Sequence, residues 1–211
     1  MSQPLSDAGL DLLFREAHTY IRWQDKPVSE DTLRALYDLL KWAPTSMNCN
    51  PLRILFLRTS AAKQRLLPAL AEGNIDKTMS APVTAILAYD LDFYVHMPRL
   101  FPPMPAGREM FANAPEIAES TTRRNSSLQG AYFIIACRAL GLDCGPMSGF
   151  DNAKVDEEFF SAGQALDPAE QEFFTTGHIR ANFLCNIGYG DPAGTYPRNP
   201  RFEFDEVCKT L

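Results

Sequence analysis

The sequence predicts an α+β fold in one domain of 211 residues, and three observations support this class. Hydrophobic residues make up 45% of the chain and charged residues 22%, as in ordinary globular proteins. Two segments, residues 53–59 and 82–89, are apolar almost throughout, which predicts strands that helices cover on both faces. Helical and extended patterns alternate over residues 1–211 without a repeat or a change of composition. A single domain with an antiparallel or mixed sheet is therefore expected.

The first half of the chain is predicted to contain helices and strands in alternation. Residues 6–17 carry apolar side chains at the three-and-four spacing of one helix face. A second helix follows Ser29, a favourable cap, and its apolar stripe continues until Pro44. The elements that follow are a strand over 53–59, a short helix over 61–70 and a strand over 82–89.

The second half is built around one long predicted helix, from about Pro115 to Leu140, with Gly141 where a left-handed cap would fall. The later part of this helix is apolar nearly all round, which predicts the central buried helix. Before it, residues 91–115 combine prolines with aromatic residues, as in an ordered lid or a dimer arm. The remaining predictions are strands around 142–144 and 182–189, a helix over 154–160, and a surface excursion over 163–178.

The charge balance and the absent motifs exclude several classes of function. The net charge is −6 and no basic run occurs, which argues against a nucleic-acid partner. No apolar run approaches the roughly 18 residues of a membrane span. The N-terminus also lacks a basic region followed by an apolar stretch, so a cytoplasmic protein without membrane association is expected. The chain contains no P-loop, nucleophile-elbow or zinc-protease motif.

The cysteines are predicted to be mostly small, buried hydrophobic residues. They number five, form no C-x-x-C pair and lack a metal-type spacing with the histidines, so neither a zinc site nor a disulfide framework is expected. The segment 188–194 imitates a dinucleotide-binding loop, but it has one residue too many before its last glycine. Pro192 also stands where a helix would begin, so a Rossmann-type site is not expected.

Three polar turns are the candidate binding elements, and each has two interpretations. Residues 41–51 hold hydroxyl and amide groups between prolines. These groups could hydrogen-bond the edge of a ring that carries both donors and acceptors, or the turn could only cap the preceding helix. Residues 144–151 are glycine-rich, so the amides of Ser148 and Gly149 could reach an acceptor or only form a structural turn. Residues 196–202 carry two arginines braced by prolines, either a phosphate clamp or solvated surface charges.

Together these turns resemble the nitroreductase family of FMN enzymes. The resemblance extends over nearly the whole chain and rests on four segments that follow the family's order: 44–51, 126–142, 145–151 and 197–201. The branch of the family that contains malonic semialdehyde reductases is further resembled by residues 41–42, 142–151 and 188–191.

The resemblance implies a three-layer fold with a mainly antiparallel central sheet flanked by helices, and an obligate homodimer with FMN at the subunit interface. NADH or NADPH would be the reductant. The acceptor would be a small molecule: a semialdehyde of the malonic semialdehyde type, a nitroaromatic compound or a quinone. Because the flavin would carry the chemistry, no side chain is expected to be catalytic and no metal is expected. The lid aromatics Phe93, Tyr94, Phe101 and Phe111 would shape the acceptor site or contact the second subunit.

The resemblance also implies which residues would hold FMN. The turn after the second helix would line the flavin, with Asn48 in direct amide contact. The backbone amides of Ser148 and Gly149 would lie near flavin N5 and O4, and Arg198 and Arg201 would grip the phosphate. The full predicted set is His18, Thr19, Pro44, Thr45, Ser46, Asn48, Gln129, Pro146, Met147, Ser148, Gly149, Arg198 and Arg201.

One departure from the family pattern leaves alternatives open. The family usually has a basic residue at the position of His18, so a charge that depends on protonation replaces a permanent one, unless His18 is an incidental helix-end residue. This departure leaves room for a non-catalytic flavin-binding dimer. The other rival is a cysteine-dependent enzyme that would use Cys49 or Cys144 on an exposed turn.

Overall fold

The chain packs helices on both faces of an antiparallel sheet, in a computed structural model that describes residues 3–161 and 177–211. The strands lie in the order β1-β2-β4-β3, and every neighbouring pair is antiparallel. Their bounds are β1 (Leu52–Leu57), β2 (Val83–Asp90), β3 (Asp143–Met147) and β4 (Ile179–Gly188). The α+β class and the mainly antiparallel sheet are confirmed, and β1 and β3 form its two edges among the described residues.

Local sequence signals account for the ends of the main helices. Ser29 Oγ accepts the Thr32 N–H at 3.1 Å before α2, and Asp151 Oδ1 accepts the Lys154 N–H at 3.2 Å before α8. Gly141 has φ 74 just beyond α7, in the left-handed region that glycine enters without strain. The helices are α1 (Asp7–Leu10), α2 (Glu30–Leu40), α3 (Ser60–Leu66), α4 (Ile75–Ser80), α5 (Met97–Leu100), α6 (Gly107–Ala112), α7 (Pro115–Ala139), α8 (Asn152–Phe160) and α9 (Phe204–Val207). Within the described residues, none of them has both the length and the apolar character needed to cross a bilayer.

The alternation of side chains along β2 creates two cores and hence three layers. Val83, Ala85 and Leu87 pack with α2 and α7 on one face of the sheet. Ile86 and Ala88 pack with α3 and α8 on the other face. Successive side chains of a strand point to opposite faces, so a strand that is apolar throughout needs both layers. The three-layer arrangement predicted from the resemblance is confirmed.

Other predicted elements differ from the structure. The predicted helix over 6–17 is the short α1 followed by a π-helical turn, Asp11–Arg15, and none of its residues is buried, because this segment lies outside the core clusters. The predicted central buried helix is confirmed for the face of α7 that lies on the sheet, where Phe133, Ala136 and Cys137 are buried. The other face exposes 47% of Leu128 and 40% of Tyr132. Of the predicted surface excursion over 163–178, all but the last two residues lie outside the described residues.

The segment 91–115 is ordered by a third, smaller core. Buried Phe93, Met97 and Phe111 pack together there with Cys49 and Ala118. The prediction that these lid phenylalanines shape an acceptor site was wrong for Phe93 and Phe111, which are 0% and 4% exposed and serve as anchors.

Lys63 of α3 is buried and makes stability depend on pH. Its side chain is 4% exposed and Nζ donates to the Ala81 carbonyl. Burial lowers the pKa of Lys63 from 10.5 to about 8. Between about pH 8 and 10.5 the unfolded chain therefore binds a proton that the folded chain does not, so this group makes the free energy of unfolding rise with pH in that window.

We expect Lys63→Met to remove this dependence. Relative to the variant, the parent should gain about 2 kcal/mol of stability between pH 8 and pH 10, the part of the pKa change that is realised within this range. Urea unfolding at both pH values measures this difference. Buried thiols titrate in the same range in the opposite sense, so the comparison with the variant isolates the lysine. Equal pH dependence in both proteins would contradict the prediction.

Candidate cofactor site

The turn between α2 and β1 is held in an unusual backbone conformation by its own side chains. Met47, Asn48 and Asn50 have φ values of 52, 52 and 41, the left-handed region that asparagine tolerates better than most residues. Thr45 Oγ1 accepts the Asn50 N–H at 3.3 Å, and Asn50 Nδ2 donates to the Asn48 carbonyl at 2.7 Å. The turn is therefore fixed, while Pro44, Ser46 and Asn48 stay exposed.

Helix α7 supports this turn from behind. Asn125 Oδ1 accepts the Ser46 N–H at 2.7 Å. One turn further along the helix, Gln129 Oε1 accepts the Leu52 N–H at 3.0 Å and Nε2 donates to Asn50 Oδ1 at 3.2 Å. Gln129 is thus placed beside the turn as predicted, but it is buried, and its amide holds the Leu52 backbone at one end and the Asn50 side chain at the other. Sequence reasoning missed Asn125, although its four-residue spacing from Gln129 puts both on one helix face.

Asn48 retains part of its hydrogen-bonding capacity. Its Nδ2 donates to the Leu100 carbonyl at 2.9 Å, and its Oδ1 accepts from Asn50 Nδ2 at 2.8 Å. An amide side chain has two donor hydrogens and two acceptor lone pairs, so one donor and one acceptor position of Asn48 stay available at this exposed site.

The turn that follows β3 presents free backbone amides. Pro146 and Met147 belong to β3, and Ser148 and Gly149 follow it as exposed residues. The Gly149 carbonyl accepts from the Ala71 N–H at 3.0 Å and from Asn74 Nδ2 at 2.7 Å. In the described part of the chain, no acceptor is found for the Ser148 or Gly149 N–H. These two donors can therefore bond an external acceptor.

Asn74 packs closely against Gly149. A Cβ added to Gly149 would lie 2.6 Å from Asn74 Nδ2, closer than atoms normally approach. Because Gly149 has no side chain, the Asn74 amide can approach closely and donate the hydrogen bond that holds this turn. Sequence reasoning did not identify Asn74, because its partner lies 75 positions away in the chain.

The N-terminal segment and the tail meet at the same edge strand. Thr19 pairs with Cys144 of β3, and the Tyr20 N–H donates to the Cys144 carbonyl at 3.0 Å. Arg198 Nη2 donates to the Ala17 carbonyl at 3.1 Å, which places this cation next to His18. Arg201 instead bonds only the carbonyls of its own loop, Asn199 and Pro200, within the described residues.

The predicted residues therefore form two groups, on opposite edges of the sheet. The β1-edge group is Pro44, Thr45, Ser46, Asn48 and Gln129; the β3-edge group is His18, Thr19, Pro146, Met147, Ser148, Gly149 and Arg198. Because β1 and β3 are three strand spacings apart, the edges are separated by roughly 14 Å. One chain does not bring the two groups together, although both turns leave the same end of the sheet.

The donors of the two groups fit FMN chemically. Arg198 beside His18 offers charged donors for a phosphate, and the free N–H groups of Ser148 and Gly149 suit acceptor atoms on a ring. Asn48, with Thr45 and Ser46 beside it, offers both donors and acceptors, as the pyrimidine edge of a flavin requires.

The cysteine-dependent alternative was wrong about where its thiols lie. Cys49 and Cys144 are 1% and 0% exposed rather than on accessible turns. Burial raises the pKa of the Cys49 thiol to about 11, so it stays protonated near neutral pH. Neither cysteine is placed to act as a nucleophile.

Comparisons with known proteins agree on one family. The family model described as "Nitroreductase family" matches residues 18–162. A protein of Burkholderia lata, provisionally named NADH dehydrogenase/NAD(P)H nitroreductase, is 55% identical over 205 residues, 97% of each chain.

Solved structures share the fold at low sequence identity. A nitroreductase-like protein of Bacillus subtilis, ydfN, superposes with a TM-score of 0.81 at 16% identity, covering 98% of this chain and 100% of its own. A nitroreductase-like protein of Exiguobacterium sibiricum, solved in complex with FMN, gives a TM-score of 0.80 at 18% identity and covers 100% of both chains.

Proposed function

The chain belongs to the nitroreductase family, and on this premise we propose that it works as a homodimeric, FMN-dependent oxidoreductase that uses NADH or NADPH. Its acceptor is a small molecule, either a semialdehyde of the malonic semialdehyde type or a nitroaromatic compound or quinone. When bound, FMN supplies hydride chemistry, accepting two electrons from the reduced nicotinamide and giving them to the second substrate. The observation that carries this proposal is the division of the predicted cofactor residues between two sheet edges.

A second copy of the chain resolves that division. In the proposed arrangement the flavin lies between two protomers, with the β3-edge group of one protomer facing the β1-edge group of its partner. In this arrangement Arg198 and His18 bind the phosphate, and the N–H groups of Ser148 and Gly149 bond the polar edge of the ring. Asn48 of the other protomer contacts the flavin through its remaining amide donor and acceptor.

The surface of the protomer supports a dimer. Large apolar side chains are exposed on α7, on the adjoining α2 and just beyond its end, and along the tail: Ile117, Leu128, Tyr132, Tyr37, Leu39, Trp42, Tyr196, Phe202, Phe204 and Val207. Exposed apolar residues concentrated in this way are typical of protein–protein interfaces.

The absorption spectrum of the purified protein tests the proposed function. We expect a flavin spectrum with one FMN per chain, and bleaching of the visible bands when NADH or NADPH is added without oxygen. A protein that stays yellow under these conditions would be a binding module and not an oxidoreductase. A colourless protein that also fails to take up added FMN would contradict the cofactor assignment.

Arg198→Ala is expected to weaken FMN binding by about tenfold or more. A charge-assisted contact with a phosphate is worth about 1.5–3 kcal/mol, and 1.4 kcal/mol corresponds to about tenfold in affinity. Folding should change little, because Arg198 is exposed. The dissociation constant can be measured by titrating the flavin-free protein with FMN and following flavin fluorescence.

Arg34→Ala provides the matched control for this measurement. Arg34 is an exposed arginine of α2 that pairs with Glu30 at 3.0 Å. Equal FMN affinity in Arg198→Ala and Arg34→Ala would remove Arg198 from the phosphate site. Arg201→Ala, measured in the same way, tests the second predicted arginine, which makes only local contacts within its own protomer.

A further inference from the structure

The lid segment 93–101 and the β1-edge turn form one structural unit. Phe93 and Met97 are fully buried in the small core that also contains Cys49 of the turn. Met47 of the same turn packs against this core. Asn48 Nδ2 donates to the Leu100 carbonyl at the end of α5. Residues 96–100 are therefore held in a defined position next to Asn48, the residue proposed to contact the flavin.

A groove opens at this junction. It has a volume of about 850 Å³ and runs along β1 beside α2 and α5. Asn48, Asn50 and Gln129 of the cofactor turn line it together with His96 and Arg99 of the lid segment. A molecule bound at this end of the groove would contact the lid segment and the flavin-lining turn at the same time.

This end of the groove carries an unpaired positive charge. Arg53 lines it as well, but its guanidinium is bound to Asp90 Oδ2 at 2.6 Å and to the carbonyls of Asn50 and Leu52. Arg99 is exposed and has no hydrogen bond or ion pair with any described residue.

His96 adds a neutral donor beside this charge. Burial lowers the pKa of His96, the charge of Arg53 lowers it further, Asp90 opposes this, and Arg99 lowers it again. His96, Arg99 and Arg53 line the same groove, so these charges lie close to the imidazole. A neutral imidazole has one N–H to donate.

We propose that Arg99 and His96 are specificity-determining residues that bind a carboxylate on the acceptor, and this inference rests on the proposed function. A planar guanidinium can donate two parallel hydrogen bonds to a carboxylate, and the imidazole N–H can supply a third. The net charge of the protein is −6, which repels anions in general. The positive charge of Arg99, which has no internal partner among the described residues, therefore allows this site to attract an anionic acceptor. Arg53, being neutralised by Asp90, orients the turn instead.

Two matched probes test this assignment in the holoenzyme. 4-Nitrobenzoate and 4-nitrobenzamide have nearly the same size and the same reducible group, but only the first carries a carboxylate. In Arg99→Ala we expect the KM for 4-nitrobenzoate to rise about tenfold or more, the loss of one charge-assisted contact, with little change for 4-nitrobenzamide. Arg99→Lys should recover part of the loss, since it keeps the charge without the planar fork.

The control variant is Arg108→Ala, and binding provides a readout that does not depend on turnover. Arg108 is an exposed arginine on α6, which follows the lid segment in the chain, and it does not line the groove. It should leave both KM values unchanged. Calorimetric titration with benzoate and benzamide, which cannot be reduced, should show the same selective loss for benzoate in Arg99→Ala.

The outcomes separate this inference from the function on which it rests. If NADH bleaches the flavin but Arg99→Ala affects both probes equally or neither, Arg99 is not the carboxylate site. If the KM for NADH rises as much as that for 4-nitrobenzoate, Arg99 binds the anionic reductant, which also overturns the assignment. A protein without FMN contradicts the proposed function, and the benzoate titration then tests Arg99 on its own.

Discussion

Replacing both Leu128 and Tyr132 by arginine is expected to separate the dimer and release FMN together. The two residues lie one turn apart on the outer face of α7, 47% and 40% exposed in the protomer. In the protomer they are surface positions, so the fold should lose no more than about 1 kcal/mol. In a dimer interface the new charges would be desolvated without partners, which costs several kcal/mol. Because each flavin is proposed to need both sheet edges, loss of the dimer removes half of every cofactor site.

Light scattering and the flavin spectrum of the same sample measure this result. The variant should have the mass of a single chain, 23.6 kDa, with little bound flavin and an unchanged circular dichroism spectrum. Ala153→Arg is the matched control, since Ala153 is exposed on α8, which covers the opposite face of the sheet from α7. A dimeric double variant would show that α7 is not in the interface. A monomer that keeps FMN at full affinity would contradict the two-protomer site.

Gly145→Ala is expected to destabilise the β3-edge group strongly. A Cβ at position 145 would lie 2.6 Å from the Tyr20 carbonyl oxygen, a backbone atom that cannot rotate away. The segment that contains His18, Thr19 and Tyr20 would have to leave β3, with loss of the hydrogen bond from Tyr20 to Cys144. We expect a loss of about 2–3 kcal/mol in the free energy of unfolding, as for other overpacked sites.

FMN affinity should fall together with this stability, because the displaced segment carries His18 and supports Arg198 through Ala17. Urea unfolding and FMN titration measure the two effects. Gly73→Ala is the control: a Cβ there meets nothing within 4 Å, so stability should stay within about 0.5 kcal/mol of the parent. If Gly145→Ala keeps both the stability and the FMN affinity of the parent, the close packing of this segment on β3 is not needed for the site.

The success of the sequence predictions depended on how local the signals are. Helix α2 was found from its Ser29 cap and apolar stripe, and β2 from an apolar run that proved buried throughout. Both signals reside within one element, where the spacing of apolar residues reports the face that must be buried. The predicted helix over 6–17 failed because the same spacing occurs on a surface segment that no core residue covers in the protomer. The exposed face of α7 could not be predicted either. An apolar residue indicates burial, but the sequence does not show whether a sheet of the same chain or a second protomer covers it.

For the cofactor residues, a similar distinction holds. The turns were recognised by their proline, glycine, asparagine and arginine residues, which restrict the backbone or supply donors wherever they occur. Their supporting contacts were not recognised, because Asn125 lies 79 positions from Ser46 and Asn74 lies 75 positions from Gly149. Contacts of this kind depend on the path of the chain between the partners, which spacing within a motif does not contain.

The amino-acid sequence by itself determined the α+β class, the main helices and strands, and the chemical character of the three turns, since these follow from short-range sterics and from which side chains avoid water. Only the tertiary structure decided that the strands lie in the order β1-β2-β4-β3 and that the turn carrying Asn48 therefore stands at one edge while Ser148, Gly149 and Arg198 stand at the other. Strand order is set by pairing between segments far apart in the chain, where many arrangements satisfy the same local pattern and packing of the whole core selects one.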